Sequence, residues 1–256
     1  MDLVTALEAE GIVSVVGAGG KKSTMYALAA ALDRAVVTAT VRIPIFDSHV
    51  DRVVVTGDPA GAVEAAAAGA DADGPWSLGL VPEREREDRY RGYDLDAVEA
   101  IDATGVPDAV LVKADGARMR LLKAPGENEP RIPPATSTVV PVASAHVVGK
   151  PLTDEHVHRV ERVADVLGQD PGESRSQGDR IRPADVGRVL ASEAGGRKDV
   201  PEAATVVPVV NMVDDEDLAA VGREVAAAVL ARDSSIPRVV LARMIAEDPV
   251  VDVVQR

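Results

Sequence analysis

The sequence predicts a three-layer α/β fold with a mostly parallel sheet. Short runs rich in β-branched residues alternate along the chain with alanine- and leucine-rich segments of helical character. These runs are almost continuously apolar, as in strands that are buried on both faces of a parallel sheet. Apolar residues make up 46% of the 256 residues, which is enough to build a substantial core.

The first half of the chain begins with the β-branched run Ile12–Val16, which ends in glycines and precedes a helical segment. The predicted strands of this half are Ile12–Val16, Ala35–Thr40, Arg52–Val55, Trp76–Leu80 and Ala109–Lys113. The predicted helices between them are Ser23–Leu32, Pro59–Ala68 and Leu95–Ile101. Pro44 closes the second strand region, because proline cannot continue a central ladder.

Predicted strands and helices also alternate in the second half of the chain. Its predicted strands are Thr138–Val142, Thr205–Val210 and Arg238–Ala242. A helix is predicted over Thr153–Leu167, where apolar residues recur at helical spacing, and the other helices are Pro183–Ala194 and Asp215–Leu230. We expect one α/β domain over residues 1–256, with an irregular charged excursion at 81–94 and a proline-rich loop at 117–135.

Composition excludes several classes of function. Acidic residues outnumber basic ones by 42 to 28, so the net charge of −14 disfavours nucleic-acid binding. The chain has no cysteine, which excludes disulfides, thiolate metal sites and cysteine nucleophiles. We expect a soluble, cytoplasmic protein without a signal segment. The scarcity of lysine beside abundant aspartate favours a halophilic source, and an acidic protein from a GC-rich genome is the alternative.

The segment Gly17-Ala18-Gly19-Gly20-Lys21-Lys22-Ser23 joins the first strand to the first long helix. Glycines allow backbone N–H groups to converge, and a helix N-terminus attracts anions. A dinucleotide-binding motif would need a third glycine where Lys22 stands, so the segment indicates a shortened phosphate loop with Lys21 as its phosphate lysine. A glycine turn with exposed lysines is the alternative.

Asp115 follows a buried strand, and Asn211 and Asp214 follow a later one. In a parallel sheet these positions share the edge where the strands end. Asp115 is therefore a candidate catalytic residue with Lys21 and, with Ser23, a candidate Mg²⁺ ligand. Asn211 and Asp214 resemble a base-reading N-K-x-D motif with methionine in place of lysine. An Asp-Gly turn and a helix cap are the plainer alternatives.

The proline-rich loop contains Lys123 and Glu129, which are candidate residues for a second substrate or a partner. A rigid connector is the alternative. The histidines His156 and His158 are two residues apart, so on a helix they would point away from each other and would not chelate one metal.

Together these motifs resemble the YqeC-like family of accessory proteins of selenium-dependent molybdenum hydroxylases. The resemblance runs from about Leu3 to Leu230 and rests on five groups of residues: Gly17 to Lys21, Ala114-Asp115-Gly116, Lys123-Ala124-Pro125 with Glu129-Pro130 and Ile132-Pro133, His158-Arg159, and Asn211 with Asp214. It implies a nucleotide-binding protein that uses ATP or GTP in maturation of a molybdenum hydroxylase or its cofactor.

Three positions depart from the expected motifs, since Lys22, Lys113 and Met212 stand where a threonine, an acid and a lysine are expected. We hypothesise that Lys22 or Lys113 partly substitutes for Mg²⁺, so that nucleotide binds with slow or absent hydrolysis. The alternatives are a phosphotransferase or ligase acting on a small molecule, and a non-catalytic nucleotide-binding module.

Overall fold

The computed structural model describes residues 1–69, 74–168 and 176–256. Helices in this part of the chain are α1 (Leu3–Leu7), α2 (Lys21–Ala31), α3 (Pro59–Ala67), α4 (Leu95–Asp102), α5 (Val160–Leu167), α6 (Pro183–Ala191) and α7 (Glu216–Arg232). Two short 3₁₀ turns cover Asp47–His49 and Ala145–Val147.

The strands of the described residues are β1 (Gly11–Gly17), β2 (Arg34–Ala39), β3 (Ile43–Pro44), β4 (Arg52–Val55), β5 (Trp76–Val81), β6 (Arg89–Tyr90), β7 (Ala109–Lys113), β8 (Leu122–Lys123), β9 (Thr136–Ser144), β10 (Val157–His158), β11 (Thr205–Val206), β12 (Val209–Asn211), β13 (Arg238–Ala242) and β14 (Val250–Gln255).

One large sheet organises the molecule, with strand order β14-β13-β12-β9-β1-β7-β2-β5-β4 and β11 added beside β9. Every pairing in it is parallel except β13 with β14. After β1 the chain builds β2, β4, β5 and β7 on one side, then crosses β1 to build β9 and β12 to β14 on the other. Ligands of open α/β sheets bind where the strand order reverses, at the carboxyl ends of the strands.

Helices cover both faces of the sheet, which confirms the predicted three-layer α/β class. Alternate strand residues point to opposite faces. Val13 and Val15 pack with Met25 and Leu28 of α2, whereas Ile12 packs on the other side with Val98 and Ile101 of α4. The second face continues over β12 and β13, where α5, α6 and α7 form the largest apolar cluster.

Most of the predicted elements are present, with three corrections. The helix predicted over Thr153–Leu167 begins only at Val160, because residues 157–158 form a strand instead. The strand predicted over Thr205–Val210 is split into β11 and β12 at Pro208, which has no N–H to donate to a ladder. The antiparallel strand β14 was not predicted, nor were helix α1 and the short strands β3, β6 and β8.

Two small strand pairs lie outside the large sheet. Strand β6, within the charged excursion at 81–94, pairs antiparallel with β3. Strand β8, within the proline-rich loop, pairs in parallel with β10, so that Lys123 lies opposite His158. The proline-rich loop is thereby held against the segment that leads into α5. Among the described residues, no helix has the length and apolar character needed to cross a membrane.

Candidate anion-binding site

The glycine segment forms a tight turn at the carboxyl end of β1, between the ends of β7 and β9. Gly17 has φ +91° and Gly20 has φ +131°, in the region that favours glycine. A Cβ atom on Gly17 would lie 2.3 Å from the Val142 carbonyl oxygen, and one on Gly20 would lie 1.9 Å from Asn211 Nδ2. Glycine at both positions is therefore required by the backbone conformation and by close packing.

Three amides of this turn donate within the protein. Gly17 N–H donates to Asp115 Oδ2 (2.9 Å), Ala18 N–H to the Val142 carbonyl (2.8 Å) and Gly19 N–H to the Arg120 carbonyl (2.9 Å). Helix α2 begins at Lys21, and Thr24 N–H is the first to bond back, to the Gly20 carbonyl. The amides of residues 20–23 thus have no acceptor in their own helix. An anion at this junction would be held by those four amides.

A buried carboxylate lies directly beneath the turn. Asp115 is 1% exposed, with Lys21 Nζ 2.9 Å from Oδ1 and Lys123 Nζ 2.9 Å from Oδ2. Lys21 also donates to the Gly17 carbonyl, and Lys123 donates to the Gly116 carbonyl at 2.6 Å. Two lysines from segments a hundred residues apart in sequence therefore share one carboxylate.

The network extends from Lys123 into the proline-rich loop. Lys123 Nζ lies 3.2 Å from Glu129 Oε2, which also accepts from Arg159 Nη1 at 2.8 Å. The other oxygen of Glu129 accepts from Gly116 N–H at 3.2 Å. The structure thus brings Lys123 and Glu129 into the same network as Lys21 and Asp115. No local sequence pattern indicates that Arg159 pairs with Glu129.

Lys113 adds a third buried ammonium group. Its Nζ donates to the Asp115 carbonyl (2.7 Å) and to the Arg42 carbonyl (3.0 Å). Burial, reinforced by nearby Lys21, lowers the pKa of Lys113 to about 7. Burial also lowers the pKa of Lys21, against the opposing effect of Asp115. For Asp115 burial works the other way, but Lys21 and Lys123 hold its pKa below the usual value.

We call the residues Lys21, Lys113, Asp115, Lys123, Glu129 and Arg159 the ion cluster. It contains two carboxylates and four basic side chains, of which Lys113 has a pKa lowered to about 7, in a chain whose net charge is −14. Cations in excess at a buried location are costly unless an anion compensates them. The charge of the ion cluster, like the free amides of residues 20–23, is suited to an anionic ligand.

The same contacts bear on the predicted magnesium site. Asp115 Oδ1 has an ion-pair contact with Lys21 but no hydrogen bond, and Oδ2 pairs with Lys123 and accepts from Gly17 N–H. Ser23 lines a different cavity from Asp115. Within the described ranges no group of three or more His, Asp or Glu side chains is placed to hold a metal ion. Mg²⁺ at a nucleotide needs only one or two protein carboxylates besides phosphate oxygens and waters, so the Mg²⁺ role of Ser23 and Asp115 stays a prediction, and it would require Asp115 to give up a lysine partner.

Asn211 and Asp214 have separate environments. Asn211 is buried at the end of β12, where Nδ2 donates to the Gly19 carbonyl (3.0 Å) and Oδ1 accepts from Met244 N–H (3.2 Å). It ties the glycine turn to the segment after β13. Asp214 contacts His146 Nε2 at 2.8 Å, and both side chains are 43% exposed. The base-reading role of Asn211 and Asp214 stays a prediction.

An open cavity of about 750 Å³ runs along α2 from Ser23. Its wall includes Tyr26, whose ring stacks on His49 with centroids 4.1 Å apart. A second cavity of about 400 Å³, at the carboxyl ends of β2 and β5, is lined by side chains of both signs: Arg42, Arg91 and Arg131 beside Glu83 and Glu85. Lys113 lies between this second cavity and Asp115, since it bonds the carbonyls of Arg42 and Asp115.

The part of the chain that contains this site matches a known protein family. A family model described as "YqeC protein" matches residues 13–161, which include the whole ion cluster and the glycine turn. A protein of Escherichia coli strain K12 described as "Uncharacterized protein YqeC" is 31% identical over 195 residues, 75% of this chain and 72% of that protein. No solved structure matches.

Proposed function

This chain belongs to the YqeC family, and from its site we propose that it is a nucleotide-binding accessory protein in maturation of a molybdenum hydroxylase or its cofactor. The observation that carries the nucleotide proposal is the position of four unbonded helix-start amides above a cationic cluster. Helix N-termini with glycine turns are common phosphate sites, and lysine adds a point charge for terminal phosphates. The hydroxylase partner rests on the sequence resemblance.

In this proposal the phosphates of ATP or GTP lie on the amides of residues 20–23. Lys21 turns from Asp115 to the phosphate oxygens, and Lys22, which is only half-buried, adds a second cation at the helix start. Asn211 acts by holding the Gly19 carbonyl and so the shape of the turn. Lys123 contacts Asp115, and Glu129 accepts from Gly116 N–H. The conformation of the proline-rich loop would therefore respond to phosphate binding at the site.

Isothermal titration calorimetry with ATP and GTP tests the proposal. Lys21→Ala should remove measurable nucleotide affinity, because it deletes the phosphate cation. Lys150→Ala is the matched control, since Lys150 is an exposed lysine outside the ion cluster. Unchanged nucleotide affinity in Lys21→Ala would remove the phosphate-loop assignment. Pull-down of a molybdenum hydroxylase in the presence and absence of nucleotide tests the partner.

A second candidate function is phosphoryl transfer to a small molecule. The 400 Å³ cavity beside Lys113 supports it, because this polar space lies at the same edge of the sheet as the phosphate site and is lined by charged side chains of both signs, among them Arg42, Glu85 and Arg131. Product formation from ATP and candidate small acceptors, without any protein partner, would distinguish this activity from an accessory role. A non-catalytic module would bind nucleotide yet show no turnover even with the hydroxylase present.

A further inference from the structure

The position of Asp115, at the end of the strand beside the phosphate loop, is where phosphate-loop proteins place the acid that holds Mg²⁺. Here that carboxylate is already neutralised from both sides. Lys21 contacts one oxygen, and Lys123 and the Gly17 amide contact the other, each at 2.9 Å. The Lys123 side chain is fully buried, so its position is set by packing and hydrogen bonds.

Phosphate binding would affect the contacts of Lys21 and Lys123 differently. Lys21 is the first residue of α2 and lies at the amides that would hold the phosphate. Lys123 belongs to the proline-rich loop, where β8 pairs with β10 and its Nζ has three acceptors, on Asp115, Gly116 and Glu129. Lys21 has two partners, Asp115 and the Gly17 carbonyl, and lies beside the helix-start amides, so it can exchange Asp115 for phosphate, whereas the three acceptors of Lys123 hold it in place.

With a single lysine, that exchange would leave Asp115 as a buried, uncompensated anion, and a divalent cation would be needed to balance it. In this protein Lys123 and the Gly17 N–H remain on Asp115 after Lys21 has moved. Lys113 donates to the Asp115 carbonyl and adds positive charge nearby when it is protonated. The ion cluster keeps its charge balance without a metal.

We infer that this site binds polyphosphate without a divalent cation, and that Lys123 is the residue that takes the place of the metal beside Asp115. The inference rests on the proposed nucleotide-binding function and adds that phosphate binding there needs no divalent cation. It also assigns the metal-replacing role to Lys123 instead of Lys22 or Lys113. Lys123 is a positioning residue here, because it acts on Asp115 and not on the phosphate.

Calorimetric titration of the wild-type protein with ATP and with inorganic tripolyphosphate, each in EDTA and in excess Mg²⁺, tests the inference. We expect the same affinity in both conditions. Binding that requires Mg²⁺ would overturn the inference and leave the proposed function intact. The absence of binding in either condition would overturn both.

The variants Lys123→Met and Lys123→Gln provide the second test. Losing one charged contact should weaken metal-free tripolyphosphate binding about 10- to 100-fold, and Mg²⁺ should restore most of it. Lys150→Met is the matched control and should behave as wild type in both buffers. Because Lys123 is buried, circular dichroism and thermal melting establish which variant is folded. Folded Lys123 variants that bind without Mg²⁺ as tightly as wild type would contradict the assigned role.

Discussion

Replacing Asp115 by alanine should destabilise the protein severely, whatever ligand the site binds. The carboxylate is 1% exposed, pairs with Lys21 and Lys123, and accepts a hydrogen bond from Gly17 N–H. Removing one partner of a buried ion pair costs about 3–5 kcal/mol, because the remaining charges are left uncompensated. For a chain of this size, that corresponds to a fall in melting temperature of about 6–20 °C.

Urea denaturation of Asp115→Ala measures this loss, and Asp214→Ala is the matched control. Asp214 pairs with His146 at the same distance range but is 43% exposed, so its removal should cost about 0–1 kcal/mol. Adding Lys21→Met to Asp115→Ala should recover part of the loss, since one uncompensated ammonium is then gone. The reasoning is refuted if Asp115→Ala costs no more than Asp214→Ala, or if the two changes at the ion cluster are simply additive.

Three further predictions follow from single contacts. Because the pKa of Lys113 falls to about 7 in the folded protein, the unfolded chain binds more protons between about pH 7 and 10.5, so stability should rise with pH in that window. Lys113→Met should flatten this rise in urea titrations, and an unaltered pH profile would contradict the lowered pKa of Lys113. Gly20→Ala must displace Asn211 Nδ2 as well as adopt a positive φ. It should cost more than Gly105→Ala, where the left-handed backbone alone costs about 1–2 kcal/mol and nothing lies within 4 Å. Asn211→Ala should reduce the cost of Gly20→Ala, and equal melting temperatures for the two glycine variants would argue against the close packing. Burial and the nearby Arg159 lower the pKa of His158 to about 4, so its NMR chemical shifts should be constant from pH 8 to about 6 and change only near pH 4.

The sequence alone predicts the parts of this protein that depend on local interactions. The β-branched run that forms β1 is followed by glycines at the positions where φ is positive, and the alanine-rich segment after them forms α2. The strand-end position of Asp115 follows from the apolar run before it, because a buried strand ends where a carboxylate appears. Such signals extend over a few residues, and they are sufficient for the α/β class and the order of most elements.

The same local signals fail where a segment's conformation depends on its partner. Residues 157–158 have the helical spacing of the segment that follows, yet they form β10 because β8 offers hydrogen bonds beside them. In strand β14 the valines are interrupted by Asp252 and no residue is fully buried, so it lacks the continuous buried run of the central strands, and it is a strand through its antiparallel pairing with β13 at the edge of the sheet.

The tertiary structure determines which side chains of the site contact one another. The sequence places Lys21, Asp115 and Asp214 at the ends of strands or the start of a helix, but it does not say which side chains meet. The crossing of the chain from one side of β1 to the other brings Lys123 and Glu129 to Asp115, while Asp214 is carried to His146. These contacts join residues far apart in the chain, and their geometry depends on strand order and loop path, which side-chain periodicity does not encode.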